Sequence, residues 1–324
     1  MYVISERQAA KLVSFSEAIE AVDEAFRLYS RGEAQLLPVV LGHAPDGVSR
    51  FGAKSGTLGS DVVGVKCGTY WPGNRARALP SHSSVVLLLD SQTGMPAALV
   101  GAGYLAGQRT AAADAVAVRR LARPDARVLA LVGAGHQAIM EAIAISHVRD
   151  LDRILVWSRS AGTVENAIAD MAQAGLRATA AGLEEAVRAA DIVVTATTST
   201  EPLVMADWVS PGTHVSAMGA DAAGKQELDV ALVRRARLFA DVAVQTATIG
   251  EFQHVIAADI VKIEDIALLG DVLTGQHDGR RSPDEITIFD SSGTAFQDLA
   301  ICNKALEIAR CGGVGTEIDW YDGH

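Results

Sequence analysis

Three sets of residues in this chain have types and spacings that can do chemistry. The first is Gly133, Gly135 and Ala138, in G-x-G-x-x-A spacing directly after the apolar run Val128–Val132. A run of that kind suits a parallel strand buried on both faces. Ile139–Val148 follows at helical period, with Met140, Ile143 and Ala144 on one side. In that setting Gly133 lets the chain turn sharply out of the strand, and Gly135 lets the backbone approach a pyrophosphate. Ala138 is small enough for the helix to pack on the strand, and the anion rests on N–H groups at the helix N-terminus. Ala134, His136 and Gln137 complete the dinucleotide loop. The second set is Ser158, Arg159 and Ser160, after the strand-like run Arg153–Trp157. A free ribose 2′-hydroxyl is usually met there by Asp or Glu. An arginine between two hydroxyls suits a 2′-phosphate instead, so NADP(H) is favoured and NAD(H) is the alternative. Thr195, Thr197 and Thr198 follow the fourth strand and are expected to border the nucleotide. The third set is cationic. Lys66 follows the apolar stretch Val62–Val65, so it lies either on an exposed strand face or in a pocket. Arg109 opens the helical pattern 109–123, where a cation is poorly placed against the helix dipole. Its planar guanidinium can hold a carboxylate through two parallel hydrogen bonds.

The elements that must position these groups fall into two kinds. Ser14 and Glu17 form a capping box for a helix carrying Phe15, Ile19, Val22, Ala25, Phe26 and Tyr29, which Gly32 stops. From Leu37 to Val100, short apolar runs alternate with turn signals such as Pro45–Gly47 and Pro72–Asn74, which is an antiparallel β region. From Ala126 onward strands and helices alternate. Strands are expected at Val128–Val132, Arg153–Trp157, Ala178–Ala181, Ile192–Ala196, His214–Met218, Leu238–Ala240 and Ile286–Phe289. A short helix is expected near Ile263–Leu269 and a closing helix at Thr294–Arg310. That alternation predicts an α/β fold with a doubly wound parallel sheet.

Composition narrows the function class. The chain has 324 residues, 49% hydrophobic and 21% charged, with a formal net charge of −11. It shows no basic stripe, which argues against nucleic acid as a partner. No apolar run reaches about 18 residues and no basic segment precedes an apolar core, so a membrane partner is not expected and a cytoplasmic location is. Cys67, Cys302 and Cys311 have no metal-ligand spacing and suit free thiols. The eight histidines are scattered, with no HxH or HExxH, so no metal site is expected.

Taken together, several motifs resemble the ornithine cyclodeaminase/mu-crystallin family over nearly the whole chain. They are Val65-Lys66, Tyr70–Asn74, Arg109–Ala113, Leu121–Arg123, Gly133–Ala138, Met218–Leu228, Ile249–Glu251 and Phe289–Gly293. The resemblance implies a Rossmann-type domain, expected at 121–297, and a β-rich substrate and dimerisation domain. The latter is expected at 1–120, with 298–324 returning to it, and it pairs two subunits in a homodimer. It also implies a substrate with an α-amino or α-imino carboxylate. Gly219-Ala220-Asp221, where cyclodeaminases resemble Gly-Gly-Asp, together with Ser158-Arg159 and Gly250–His254, leans toward the ketimine reductases. The expected activity is NAD(P)H-dependent reduction of a small 2-imino carboxylate, such as Δ1-pyrroline-2-carboxylate. Ornithine cyclodeamination is the alternative, and alanine dehydrogenase-like or iminosuccinate reductase activity is a further one. By the same resemblance, Lys66 and Asp221 are catalytic, Lys66 on the carboxylate and in proton transfer, Asp221 on the nitrogen. Arg109 binds the carboxylate and Ser81 touches substrate. His82, Arg50 and Lys54 are further substrate-binding candidates. Thr110 touches the cofactor, and Met218 and Gly219 border the nicotinamide.

Overall fold

The apolar alternation of the first hundred residues is realised as strands. The computed structural model describes residues 1–320 and divides into two units, Met1–Arg109 with the segment from Thr294 onward, and Thr110–Gly293.

In the first unit, the hairpin strands Arg50–Leu58, Val62–Tyr70, His82–Asp90 and Pro96–Gly101 run antiparallel to their neighbours. Tyr2–Ile4 adds a strand parallel to the last of them. Period-2 alternation sends Leu58, Val62, Val86, Leu88, Ala98 and Val100 to one face, and all of them are buried. The helix Ala295–Gly312 covers that face, and Phe15–Ser30 packs beside it. Phe296 joins the two helices through Phe26 and Tyr29, with ring centroids 5.6 and 5.0 Å away. Ser14 and Glu17 do form the capping box that opens Phe15–Ser30.

One helix starts earlier than its sequence pattern. Arg109 does not open it, because the helix runs Gly103–Leu121. Its cap comes from far away in sequence, with Glu6 accepting hydrogen bonds from the backbone N–H of Gly103 (2.8 Å) and Tyr104 (2.5 Å). Arg109 is therefore two turns inside the helix, beyond the reach of the N-terminal dipole.

In the second unit, among the described residues, eight parallel strands form one sheet. Its first half runs Ala178–Ala180, Arg153–Trp157, Val128–Val132, Ile192–Thr195, His214–Ala217, so the chain reverses direction across the sheet at Val128–Val132. Thr287–Asp290, last in sequence, inserts between His214–Ala217 and Arg237–Ala240. The helix expected near Ile263–Leu269 is instead a 3₁₀ turn, Ile263–Asp265, and a strand, Ile266–Leu268. Pairing with Leu238–Ala240 decided that segment, and a three-residue run carries too little periodicity to announce it. Asp191 clamps the N-terminal edge of the sheet. It accepts from the backbone N–H of Arg127 and Val128 at 2.9 and 3.0 Å and from Arg123 at 2.5 Å. Asp191→Ala is expected to cost about 2 kcal/mol in urea unfolding, since it strands two backbone donors and an arginine. Activity per folded molecule should be unchanged.

Candidate functional site

The first unit gathers the cations. In the strand Val62–Tyr70, Lys66 stands opposite Lys54 on one side and Val86 on the other. It thus shares the face covered by Ala295–Gly312, and so does not lie on an exposed strand face. Lys66 Nζ lies 2.9 Å from Asp298 Oδ1, and Arg109 Nε reaches the same oxygen at 2.9 Å. Arg109 Nη1 also donates to Gln297 Oε1 at 3.0 Å. The side chains are 13% (Lys66), 9% (Arg109) and 2% (Asp298) exposed, so the ion triad works in a medium far less polar than water. Burial pushes the Asp298 carboxyl up, but Arg109 and Lys66 more than offset this and hold it below its ordinary value. Burial lowers the Lys66 pKa. Asp298 opposes that shift, Arg109 adds to it, and the net result is a lysine that releases its proton more readily than a free one.

Two rows further on the same face, about 13 Å along the strands, Arg50, Tyr70 and His82 are cross-strand neighbours. The rings of Tyr70 and His82 are 4.7 Å apart. Gly52, Gly68 and Ser84 occupy the row between, so the strand surface between the two polar rows carries little bulk. Ser81 precedes this face, and its carbonyl accepts from Trp71 N at 2.7 Å.

The second unit carries the glycine loop. Gly133 has φ +128°, and a Cβ there would stand 2.6 Å from the Ala196 carbonyl oxygen. Its N–H donates to Trp157 O at 2.9 Å, which ties the loop to the end of the next strand. Ala134 is buried. Gly135 is the N-cap of the helix His136–Ser146 and brings no capping side chain. Around it, a Cβ would meet nothing within 4 Å, so the backbone is open to a close-lying ligand. Ala138 is 1% exposed under the helix. His136 and Gln137 form the first turn. These features fit a dinucleotide pyrophosphate. Ser158 and Arg159 follow the strand Arg153–Trp157, and Ser160 is the N-cap of the helix Ala161–Gln173. Arg159 is exposed, and no carboxylate among the described residues pairs with it. Thr110 is partly exposed on the helix Gly103–Leu121.

Glu227, which sequence reasoning missed, organises the strand tips. It accepts from Thr195 Oγ1 and Thr197 N, both at 2.7 Å, and from Gly219 N at 3.0 Å. One buried carboxylate thus fixes the spacing of the two loops that hold Thr197, Thr198, Met218 and Gly219. Met218 N donates to Thr195 O at 2.9 Å, and a Cβ on Gly219 would stand 2.5 Å from both Glu227 oxygens. Beneath it Glu251 accepts from Glu227 N and Leu228 N. Burial and the Glu227 charge push the Glu251 carboxyl up to about 8. Asp221 is the exposed end of the second loop and pairs with Lys225 at 2.5 Å, whose Nζ also donates to Gly219 O.

Asp298, Gln297, Glu227 and Lys225 therefore join the candidate set. Lys225 alone had a local signal, its i,i+4 spacing from Asp221. Asp298 is 232 residues from Lys66, and Gln297 reads as the second half of a capping box with Thr294.

The profile of the Ornithine cyclodeaminase/mu-crystallin family matches residues 2–310. Three solved structures superpose with a TM-score of 0.94 each. One is the archaeal alanine dehydrogenase dimer with bound NAD, 34% identical and covering 99% of both chains. Another is the iminosuccinate reductase of Paracoccus denitrificans in complex with NAD+, 38% identical over 98% of this chain and 99% of that one. The third is the Δ1-pyrroline-2-carboxylate reductase of Thermococcus litoralis in complex with NADH and L-proline, 29% identical over 98% and 100%.

Proposed function

Because the chain belongs to the ornithine cyclodeaminase/mu-crystallin family, we propose that it reduces a small 2-imino carboxylate to the L-amino acid with NADH or NADPH. The observation that carries this reading is the buried triad of Lys66, Arg109 and Asp298. Two cations and one anion leave a net charge of +1, the complement of one substrate carboxylate. Arg109, held by Asp298 and Gln297, presents its remaining N–H groups to that carboxylate in a fixed plane. Lys66 is the second carboxylate contact, and its lowered pKa suits it to give a proton toward the imine nitrogen. Asp221 accepts a hydrogen bond from the substrate nitrogen when it exchanges Lys225 for that partner. Arg50, Lys54, Ser81 and His82 shape the rest of the substrate face. The reduced nicotinamide, when bound, supplies the hydride. The loop Gly133–Ala138 holds its pyrophosphate, Ser158–Ser160 its adenosine ribose, and Thr110, Thr197, Thr198, Met218 and Gly219 its nicotinamide half. Thr195 supports that half through Glu227.

The test is spectrophotometric. With NADH or NADPH and a panel of imino acids, including 2-oxo acids mixed with ammonia or methylamine, net loss of the reduced-nicotinamide absorbance is expected. Ammonia release from ornithine with no net oxidation would contradict the reductase reading and favour the cyclodeaminase one.

NADP(H) is the favoured cofactor in this reading, through Arg159. Arg159→Ala should raise the KM for NADPH about tenfold, the worth of a charged hydrogen bond, and leave that for NADH within about twofold. Equal changes for both would remove the case for a 2′-phosphate site.

The outward face of the N-terminal sheet supports a homodimer. Val40 and Phe51 are exposed there at 66 and 47%, large apolar side chains that a monomer gains nothing by leaving open. Three free thiols fit a reducing cytoplasm.

A further inference from the structure

One motif of the sequence, Gly250–His254, holds neither substrate nor cofactor in the proposed function, yet it packs against the loop that carries Asp221. Its own footing is firm. Gly250 ends the helix Ala243–Ile249, and a Cβ there would stand 2.5 Å from Asp290 Oδ2 and 2.7 Å from Thr246 Cα. Only glycine lets the chain pass that close. Phe252 N then donates to Asp290 Oδ2 at 3.1 Å. Phe252 and Val255 are buried in the core of the sheet, 0 and 1% exposed. With those two turned inward, Glu251, Gln253 and His254 are left to the loop 219–228.

Each of the three side chains takes the loop at a different place. Glu251 Oε1 accepts from Glu227 N at 3.0 Å and Leu228 N at 2.7 Å, where the loop rejoins a strand. Gln253 Oε1 accepts from Gly224 N at 2.7 Å. Gln253 Nε2 donates to Gly250 O at 2.7 Å and to Ala222 O and Lys225 O, both at 3.3 Å. An N–H on one side and carbonyls on the other admit one orientation of that amide. His254 Nε2 lies 2.8 Å from Lys225 O, and since a carbonyl only accepts, Nε2 carries the proton. The carbonyl of Lys225 is thus held twice. Its ammonium spans the mouth of the loop, donating to Gly219 O at 2.9 Å and pairing with Asp221 at 2.5 Å. The Asp221 side chain is 60% exposed, so packing does not place it and the loop backbone must.

We propose that Gln253 is a positioning residue for Asp221: by holding Ala222, Gly224 and Lys225 it sets the place from which Asp221 meets the substrate nitrogen. It acts through the loop backbone. Four hydrogen bonds from one amide, on a segment anchored in the core, remove freedom that a six-residue surface loop would otherwise keep. That freedom matters because a proton-handling group displaced by about 1 Å can cost up to about a hundredfold in rate. The role of Asp221 rests on the imine-reductase reading, whereas the hold of Gln253 on the loop does not.

The test is a double-mutant cycle with a second readout that needs no substrate. Wild type, Gln253→Ala, Asp221→Asn and the double variant are compared in the reduction of imines by NADH. Gln253→Ala should lower kcat about tenfold or more and leave the KM for NADH within about twofold, because the loop Gly133–Ala138 is untouched. In the Asp221→Asn background the same change should cost less than about twofold further, since the group it positions is already disabled. Gln253→Glu keeps the acceptor for Gly224 but sets an oxygen against the carbonyls, and should behave like Gln253→Ala. Hydrogen exchange of the peptide 219–228, read by mass spectrometry without ligands, should be about fivefold faster or more at its protected amides in Gln253→Ala. An equal loss in kcat with and without Asp221, or unchanged exchange in that peptide, would overturn the proposal. If the wild type oxidises neither NADH nor NADPH with any imine, the reductase reading fails, and the exchange rates still decide whether Gln253 holds the loop.

Discussion

Asp298→Asn is expected to lower kcat/KM at least about a hundredfold, a barrier increase of about 3 kcal/mol. The carboxylate is 2% exposed and stands 2.9 Å from both Lys66 Nζ and Arg109 Nε. Removing its charge leaves two facing cations with little water to screen them, and breaking a buried pair this way costs about 3–5 kcal/mol. Some of that cost appears as lost stability and some as displaced cations. The pH profile separates displacement from a general weakening of the fold. Asp298 is the main group holding the Lys66 pKa up against burial. Without its charge that pKa falls further, so the alkaline limb of kcat/KM must move to lower pH. Lys66→Met should fold better, because the Asp298–Arg109 pair survives, and should lose about a thousandfold in kcat if Lys66 handles the proton. Lys66→Arg should not rescue, since guanidinium does not release a proton at working pH. The double variant Lys66→Met, Asp298→Asn should be more stable than the two single costs predict, by about 1 kcal/mol or more in urea unfolding.

Gly133 and Gly135 should answer the same substitution differently. Gly133 sits at φ +128°, with the Ala196 carbonyl 2.6 Å from where a Cβ would stand. Gly133→Ala therefore strains the fold itself by about 1–3 kcal/mol before any ligand is considered. Both melting temperature and dinucleotide affinity should drop. Gly135 has φ −82° and empty space around it. Gly135→Ala should melt within about a degree of wild type, having added only one methyl group to open surface. Yet it should bind NADH and NADPH at least about tenfold more weakly, because the methyl occupies the space the pyrophosphate needs. Calorimetric melting and nucleotide titration of the two variants check this. Unchanged affinity in Gly135→Ala would remove the pyrophosphate from that loop.

The dinucleotide half of the fold was legible because its signals are local. The strand Val128–Val132 is a continuous apolar run and Arg153–Trp157 is one after its first residue, and the sequence marks both to the residue. The glycine spacing that follows Val132 has one physical use in that context. The substrate half was legible only in part. Lys66 and Arg109 stood out as charges in apolar or helical patterns. What joins them, Asp298, lies at the far end of the chain on a helix whose start looks like an ordinary capping box. The start of the helix Gly103–Leu121 was misplaced for the same reason, since Glu6 caps it across 97 residues. Glu227 reads as one acid in a short polar strand, and only the fold brings Thr195, Thr197 and Gly219 to its two oxygens. Local propensity announces elements, whereas ion pairs and caps closed across hundreds of residues become visible only once the chain is folded.

The central claim is that a nicotinamide hydride goes to the α-carbon of a substrate whose carboxylate Lys66 and Arg109 hold. The direct measurement uses NADH or NADPH carrying deuterium at the transferable C4 position, with Δ1-pyrroline-2-carboxylate and with imines formed from 2-oxo acids. Mass and NMR analysis of the amino acid should find one deuterium, at the α-carbon, in step with the cofactor oxidised. Lys66→Met should transfer that label about a thousandfold more slowly than the wild type. Amino acid that forms without label at that carbon, or cofactor that binds and is never oxidised by any of these imines, would contradict the account.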